Sequence, residues 1–466
     1  MPRRAPDLNR PLTFAPELVW PGKRARPPER AGANAPEPRE FLPAGAPQRT
    51  EWRNRLIQGD NLAALQCLCR ELAGKVDLVY IDPPFATGQD WDYRPEVGER
   101  QSSAQEARRL KATAYRDGWG PTKSAYFTMM AERLVVAREL LSEKGTLYIH
   151  VDWNAGHHLR VLLDEIFGEE NSLGEIVWAY GSPSGGRAAG KKLIKSHDFI
   201  LAFAKSYGQH QYNPVWLPYS EKYLSDWFKF TEPDGRRYRK RWRRAKDGTS
   251  YFEKQYLDES KGVPASTVWS DIQQVYADPR AYKPGMDSEI TNYPTQKPLK
   301  LLERILAIST APGDLVLDFF AGSGTTLVAA EKTGRRWIGC DQNPQATQLA
   351  ARRLLSLPDP KPFSLEGFPK EPAAPFEDPP AACLEEKDGQ VRVRLEGAKQ
   401  SWEENLERWT VGVLKKGALV ARWTAFRTQK QRALPLESPW LKLEGEIAVE
   451  AVDVLGRTAR LTPRRD

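Results

Sequence analysis

The chain has 466 residues, 40% hydrophobic and 28% charged, which is enough to bury a large core and form two or three domains. No apolar run approaches the roughly 18–20 residues of a membrane span, and no apolar stretch follows the basic N-terminus. A membrane protein and a secretory leader are therefore not expected, the cytoplasm is the expected location, and the net charge of +8 suits a polyanionic partner without naming it.

Residues 1–50 are rich in Pro, Arg and Ala without a sustained period and read as an extended, flexible arm. Ordered structure is expected from Trp52. A short strand at Leu56-Ile57 leads into Gly59-Asp60-Asn61, and Leu62–Leu72 repeats apolar residues at helical spacing. Val76–Asp82 is a short apolar run with charge before it and prolines after it, as in a strand covered on both faces of a parallel sheet. A helix over Tyr126–Leu141, a strand over Thr146–Val151 and a helix over His158–Phe167 follow, then strands at Ile176–Tyr180 and Asp198–Ala204. From about 206 to 290 the period is lost and aromatic and basic residues dominate, which predicts an irregular insertion. A helix at Pro298–Ser309, a strand at Leu315–Phe319, a glycine-rich loop, a helix and a strand at Trp337–Cys340 complete the alternation. Strands alternating with helices predict an α/β, doubly wound sheet. The expected divisions are 51–205, 206–290, 291–357, a Pro-rich linker at 358–389, and a small β-sandwich at 390–466, read from the alternating Val391–Leu395 and Ile447–Val452. Cys67, Cys69, Cys340 and Cys383 form no C-x-x-C pair, so neither zinc nor a disulfide framework is expected, and no metal is assigned. His150, His157, His158 and His197 read as packing or surface residues.

Two loops carry chemistry. Asp318-Phe319-Phe320-Ala321-Gly322-Ser323-Gly324-Thr325-Thr326 leaves a strand and opens a helix, and the next strand ends at Asp341. Glycines let backbone approach a ligand, and an acid at that position can accept hydrogen bonds from ribose hydroxyls. No Lys-Ser/Thr follows the glycines, so this is not a phosphate-binding P-loop, and Leu327 occupies the third glycine position of the dinucleotide fingerprint. The second loop is Asp82-Pro83-Pro84-Phe85 at the end of a strand. Successive prolines stiffen it and remove two N–H donors, leaving carbonyl acceptors exposed to a ligand. Such a loop suits the exocyclic amine of adenine, whose lone pair is delocalised into the ring. The Asp82 carboxylate and the Pro83 carbonyl would accept its hydrogens and stabilise charge developing on nitrogen, and Phe85 would stack on an extruded base. In the insertion, Arg236-Arg237-Tyr238-Arg239-Lys240-Arg241-Trp242-Arg243-Arg244 is the densest run of positive charge, and its interleaved aromatics predict a DNA contact through Arg236, Arg237, Arg239, Arg241, Trp242 and Arg243.

Several segments together resemble the amino-group DNA methyltransferases of bacterial restriction–modification systems, above all the type III modification subunits. They are GDN at 59–61, DLVYIDPPF at 77–85, RLVVARELLSEKGTLYIHVD at 133–152, DEIFGEEN at 164–171, YPTQKPLKLLERI at 293–305 and LVLDFFAGSGTT at 315–326, spanning roughly residues 52–358. The catalytic motif precedes the cofactor motif, as in the β class. The resemblance implies a circularly permuted Rossmann-like fold that binds S-adenosyl-L-methionine, with residues 206–290 as the target-recognition region. It implies Asp318, Phe320, Gly322 and Gly324 around the methionine part of the cofactor, Asp341 at its ribose, Asp60 at its adenine, and Thr295, Gln296 and Lys297 near its carboxylate. It implies Asp82, Pro83, Pro84 and Phe85 as the catalytic residues and adenine-N6 as the target. A first Asp rather than Ser favours adenine over cytosine-N4, and the intact motifs argue against a subunit that has lost catalysis. Double-stranded DNA is the implied substrate, with a restriction subunit and a homodimer left open. The segment VEAVDVLGR at 449–457 resembles an immunoglobulin-like module.

Overall fold

The computed structural model describes residues 17–21, 23, 37–41, 52–88, 91–93, 112–115, 117–119, 123–180, 193–275, 289–291, 293–367, 379–397, 405–415, 418–427, 433–454 and 456–465. Most of the 1–50 arm lies outside the described residues, but Glu37–Phe41 is a strand, β1. The chain then runs β2 (Asn54–Gln58), α1 (Asn61–Leu72), β3 (Val76–Ile81), α2 (Ser124–Leu140), β4 (Leu141–Val151), α3 (Gly156–Phe167), β5 (Ser172–Ala179) and β6 (His197–Ala204). After α4 (Glu221–Trp227) and the hairpin β7 (Arg237–Arg244) and β8 (Ser250–Tyr256) come β9 (Val268–Trp269), α5 (Leu299–Ser309), β10 (Leu315–Asp318), α6 (Thr325–Lys332), β11 (Arg336–Asp341), α7 (Pro344–Leu355) and β12 (Phe363–Gly367).

Six strands, β4-β3-β10-β11-β2-β12, are parallel neighbours at the centre of a mixed sheet. β3 shows why. All six of its residues are buried, because alternate side chains enter two different cores. Val79 and Ile81 pack with Leu62 and Leu65 of α1, Leu134 of α2 and Leu159 of α3. Leu78 and Tyr80 pack on the other face with Leu301 and Ile305 of α5, Leu327 of α6 and Ala350 of α7. The helices after the neighbouring strands β3 and β10 thus lie on opposite faces, and a crevice opens where the strands end. Asp82 follows β3, while Asp318 and Asp341 are the last residues of β10 and β11. Parallel pairing brings all three acids to one edge.

The stretch 358–389 is more than a linker. β12 completes the parallel sheet beside β2, and β13 (Ala381–Lys387) pairs with β14 (Gln390–Glu396). Its prolines flank these strands, which is why composition alone read as a connector. Beyond them, β15 (Leu406–Lys415), β16 (Ala418–Phe426), β17 (Ile447–Asp453) and β18 (Thr458–Leu461) continue the large sheet. The join is β1, antiparallel to β12 and parallel to β16, giving one sheet of fourteen strands among the described residues. Leu384, Val393 and Leu395 of the β13–β14 layer enclose a further core with Trp409, Val411 and Val449. The insertion is likewise more regular than its composition implied, since β7 and β8 pair in register from Tyr238↔Tyr256 to Arg244↔Ser250. Among the described residues no helix is long and apolar enough to cross a membrane.

Candidate active site

The crevice holds a cavity of about 240 Å³, lined by Asp82, Pro83, Pro84 and Phe85 on one side and by Asp318, Phe320, Gly322 and Asp341 on the other. Thr295 and Lys297 form a third wall, and Tyr80, Asn61 and Arg133 line it as well.

Asp82 has two unlike oxygens. Oδ2 accepts from Lys297 Nζ at 2.5 Å, whereas Oδ1 is buried and has no hydrogen-bond partner among the described residues. Lys297 is itself buried and donates to the Thr295 carbonyl at 3.2 Å. Lys297, expected near a cofactor carboxylate, thus lines the cavity with its ammonium paired to Asp82. The loop that aims it is braced from within. Thr295 has a φ of 60°, Gln296 Oε1 accepts from Thr291 N at 3.0 Å, and Gln296 Nε2 donates to the Glu289 carbonyl at 2.6 Å. The far end of the Asp82–Phe85 loop is clamped by Asp117, which is buried and had no signal in the sequence. Its carboxylate accepts from Ala86 N and Thr87 N, both at 2.8 Å, and from Trp119 Nε1 at 3.0 Å. Ala86 is held at a φ of 55°, a conformation that side-chain-bearing residues seldom adopt.

The glycine loop is organised by its acids. Asp318 Oδ1 accepts from Phe320 N at 3.0 Å, and burial pushes its carboxyl up to about 7. Asp341 accepts from Gly322 N at 2.8 Å and Asn343 N at 2.9 Å, and burial raises it to about 6. The two glycines differ in purpose. Gly322 lines the cavity, with a φ of +49°. Gly324 is not among the lining residues; a Cβ there would lie 2.6 Å from Ala350 Cβ, so this glycine lets α6 approach α7. Arg353 of α7 holds the loop from behind, donating to the Ser323 carbonyl at 2.8 Å and to Thr325 Oγ1 at 2.9 Å. Asp60 also stands behind the lining. It caps α1 by accepting from Ala63 N at 3.0 Å and pairs with Arg133 at 3.2 Å, while its neighbour Asn61 reaches the Phe319 carbonyl at 2.7 Å.

From Arg237 onward the basic stretch is strand β7, and its residues have different partners. Arg236 is bound to Asp258 at 2.8 Å and Glu259 at 2.6 Å. Arg237 donates to the Phe228 and Leu224 carbonyls, Arg239 to Gln255 and Tyr223, and Arg243 to Glu253. Arg241 and Trp242, on opposite faces of the strand, are both exposed, and Trp242 is 67% exposed with its ring edge-on to Phe252.

A model of the N6/N4 DNA methylase family matches residues 76–352. The type II methyltransferase M.EcaI of Enterobacter cloacae is 27% identical over 344 residues, which covers 65% of this chain and 69% of that protein. The type III StyLTI Mod subunit of Salmonella typhimurium is 28% identical over 327 residues, or 59% of this chain and 49% of the subunit. The chain thus spans about half the length of that relative. The DNA adenine methyltransferase YhdJ of Escherichia coli is 26% identical over 300 residues, covering 64% and 82% of the two chains.

Proposed function

Because the chain belongs to the N6/N4 DNA methylase family, we propose that it methylates the exocyclic N6 amine of adenine in double-stranded DNA. The observation that carries this reading is Asp82 Oδ1, a buried acceptor at the wall of the cavity with no partner among the described residues. An unpaired buried carboxylate oxygen is costly, and a hydrogen-bond donor from a substrate would satisfy it. Lys297 holds the other oxygen, so the carboxylate cannot turn away. The Pro83 carbonyl, next to a residue without an N–H, supplies a second acceptor for the same amine. Two acceptors fixed before the substrate arrives draw the amine hydrogens aside and stabilise positive charge on nitrogen in the transition state. Phe85 offers its ring to a base extruded from the duplex.

S-adenosyl-L-methionine, when bound, supplies the methyl group. The cavity suits it: Asp318 and Asp341 present carboxylates to cationic and hydroxyl groups, Phe320 is an apolar neighbour, and a Cβ on Gly322 would narrow the space beside the Tyr293 ring. Asn61, Arg133 and Thr295 line the same cavity, with Asp60 behind Arg133. We read the order of the motifs, with the catalytic strand before the glycine loop, as a circular permutation. On the hairpin, Arg241 and Trp242 are the DNA contacts we retain, since Arg236, Arg237, Arg239 and Arg243 already serve the hairpin itself. Likeness to a Mod subunit makes a restriction subunit the protein partner to look for.

The test is to express the chain in a host free of DNA methylation and to map modified bases by single-molecule sequencing, beside Asp82→Ala. N6-methyladenine at a defined sequence, absent in the variant, is the expected result. Modified cytosine, or no modification at all, would sink the assignment.

A further inference from the structure

Behind the catalytic loop a polar row crosses three neighbouring strands of an otherwise apolar layer. Tyr80 is on β3, His150 on β4 and Asp198 on β6, and all three are buried. Tyr80 Oη lies 3.2 Å from His150 Nδ1, and His150 Nε2 lies 3.3 Å from Asp198 Oδ2. Trp178 of β5 closes the row with its ring edge-on to the imidazole, 5.4 Å between centroids. The open face of the imidazole meets Phe85, with centroids 6.1 Å apart and planes 12° from parallel. Lys195 pairs with Asp198 and stands 5.3 Å from the Phe85 ring, and Lys297 stands 5.2 Å from it.

We infer that His150 is a positioning residue: anchored at both nitrogens by Tyr80 and Asp198, it is the plate that sets the ring plane of Phe85. The polarity of the anchors fixes the imidazole. A carboxylate only accepts, so Nε2 carries the hydrogen toward Asp198, and Nδ1 accepts from the Tyr80 hydroxyl. A half-turn of the ring would break both bonds. Burial, and after it the charge of Lys297, lower the basicity of His150 against the pull of Asp198 and Asp82, so the ring stays neutral. A buried polar row is costly compared with apolar packing, and its return here is orientation. The inference rests on the reading of Phe85 as the surface on which the target base stacks.

The experiment uses the full chain with its cofactor and a duplex carrying 2-aminopurine at the adenine that mapping identifies. Tyr80→Phe deletes one oxygen and keeps the ring, His150→Leu deletes both anchors, and His150→Gln keeps an acceptor and a donor. Tyr80→Phe and His150→Leu should lower kcat by about tenfold or more, since small misplacements at a reacting centre are that costly. Cofactor affinity should stay within about twofold in both. The extruded 2-aminopurine should be brighter than with the native chain, because stacking on a loosened Phe85 quenches it less. His150→Gln should regain most of the lost kcat. Unchanged kcat and emission in Tyr80→Phe, or losses that track cofactor binding and thermal stability, overturn the inference. Should His150→Leu not fold, Tyr80→Phe decides the matter alone. A native chain that neither methylates nor brightens the probe instead overturns the proposed function.

Discussion

Replacing Asp82 by Ala removes an acceptor and also strips Lys297 of its counter-charge. The Lys297 side chain is 9% exposed and that of Asp82 19%, so the pair counts as largely buried. Removing one partner of such a pair costs about 3–5 kcal/mol, because the other charge is left without compensation. The Thr295 carbonyl remains at 3.2 Å, and the cavity admits water to the ammonium, which places the cost near the lower end, about 3 kcal/mol. Adding Lys297→Met removes the stranded charge and should restore about 2 kcal/mol of that loss. Urea unfolding followed by tryptophan fluorescence measures stability, and transfer of a tritiated methyl group measures chemistry. The two readouts should part company: the double variant regains stability and transfers nothing. Equal stability of Asp82→Ala and Asp82→Ala/Lys297→Met would refute the pairing argument. Recovery of transfer in the double variant would refute Asp82 as the acceptor.

Three further outcomes follow from the geometry. With Asp318 raised to about 7 and Asp341 to about 6, the free site holds protons that a cationic ligand must displace, so cofactor affinity should climb from pH 5 to just above 7 and then level off, with proton release visible by calorimetry in buffers of different ionisation enthalpy. Stability of the free protein carries the opposite sign: these acids bind more protons folded than unfolded between about pH 4 and 7, so their contribution is lost as pH rises through that window, and a cofactor affinity that is flat with pH would contradict the assignment. Gly324→Ala forces a Cβ against Ala350 at a φ of +76° and should destabilise the chain by about 1–3 kcal/mol in urea unfolding, whereas an effect on cofactor affinity alone would mean that the glycine serves the ligand. Arg241→Gln should lower the salt slope of DNA binding by about one while Arg236→Gln leaves it unchanged, and the reverse pattern would return Arg236 to the DNA surface.

The parallel core was legible because burial on both faces leaves a plain mark: short apolar runs such as Val76–Ile81, ended by Asp82 and two prolines. The acids at the strand ends could be placed for the same reason. What escaped was pairing across distance. Nothing in the spacing joins Lys297 to Asp82, 215 residues earlier, so a lysine beside a cofactor motif was assigned to the cofactor. Asp117 lies in a stretch without period, and its role appears only when the loop folds back onto Ala86 and Thr87. His150 alternates correctly with Tyr148 on one strand face, but its worth depends on Asp198 arriving from an antiparallel neighbour. In β7 the charges were visible and their partners were not, so the sequence could not tell Arg243, paired with Glu253, from Arg241 beside it.

The seam strand β1 has a consequence for synthesis. Its first neighbour, β12, ends at Gly367, but its second, β16, begins at Ala418, and both edges must be filled before the fourteen-stranded sheet is continuous. At about 5–20 residues per second, a ribosome needs roughly 20–75 s to travel from Phe41 to Ala418. For that interval one of the first-made strands waits for one of the last. A chain released before β16 would keep an unfilled edge at β1, and such an edge recruits other chains. Truncation after Gly367 should therefore yield aggregates rather than a soluble catalytic core, and a monomeric product on size-exclusion chromatography would show that β1 is not needed to seal the sheet.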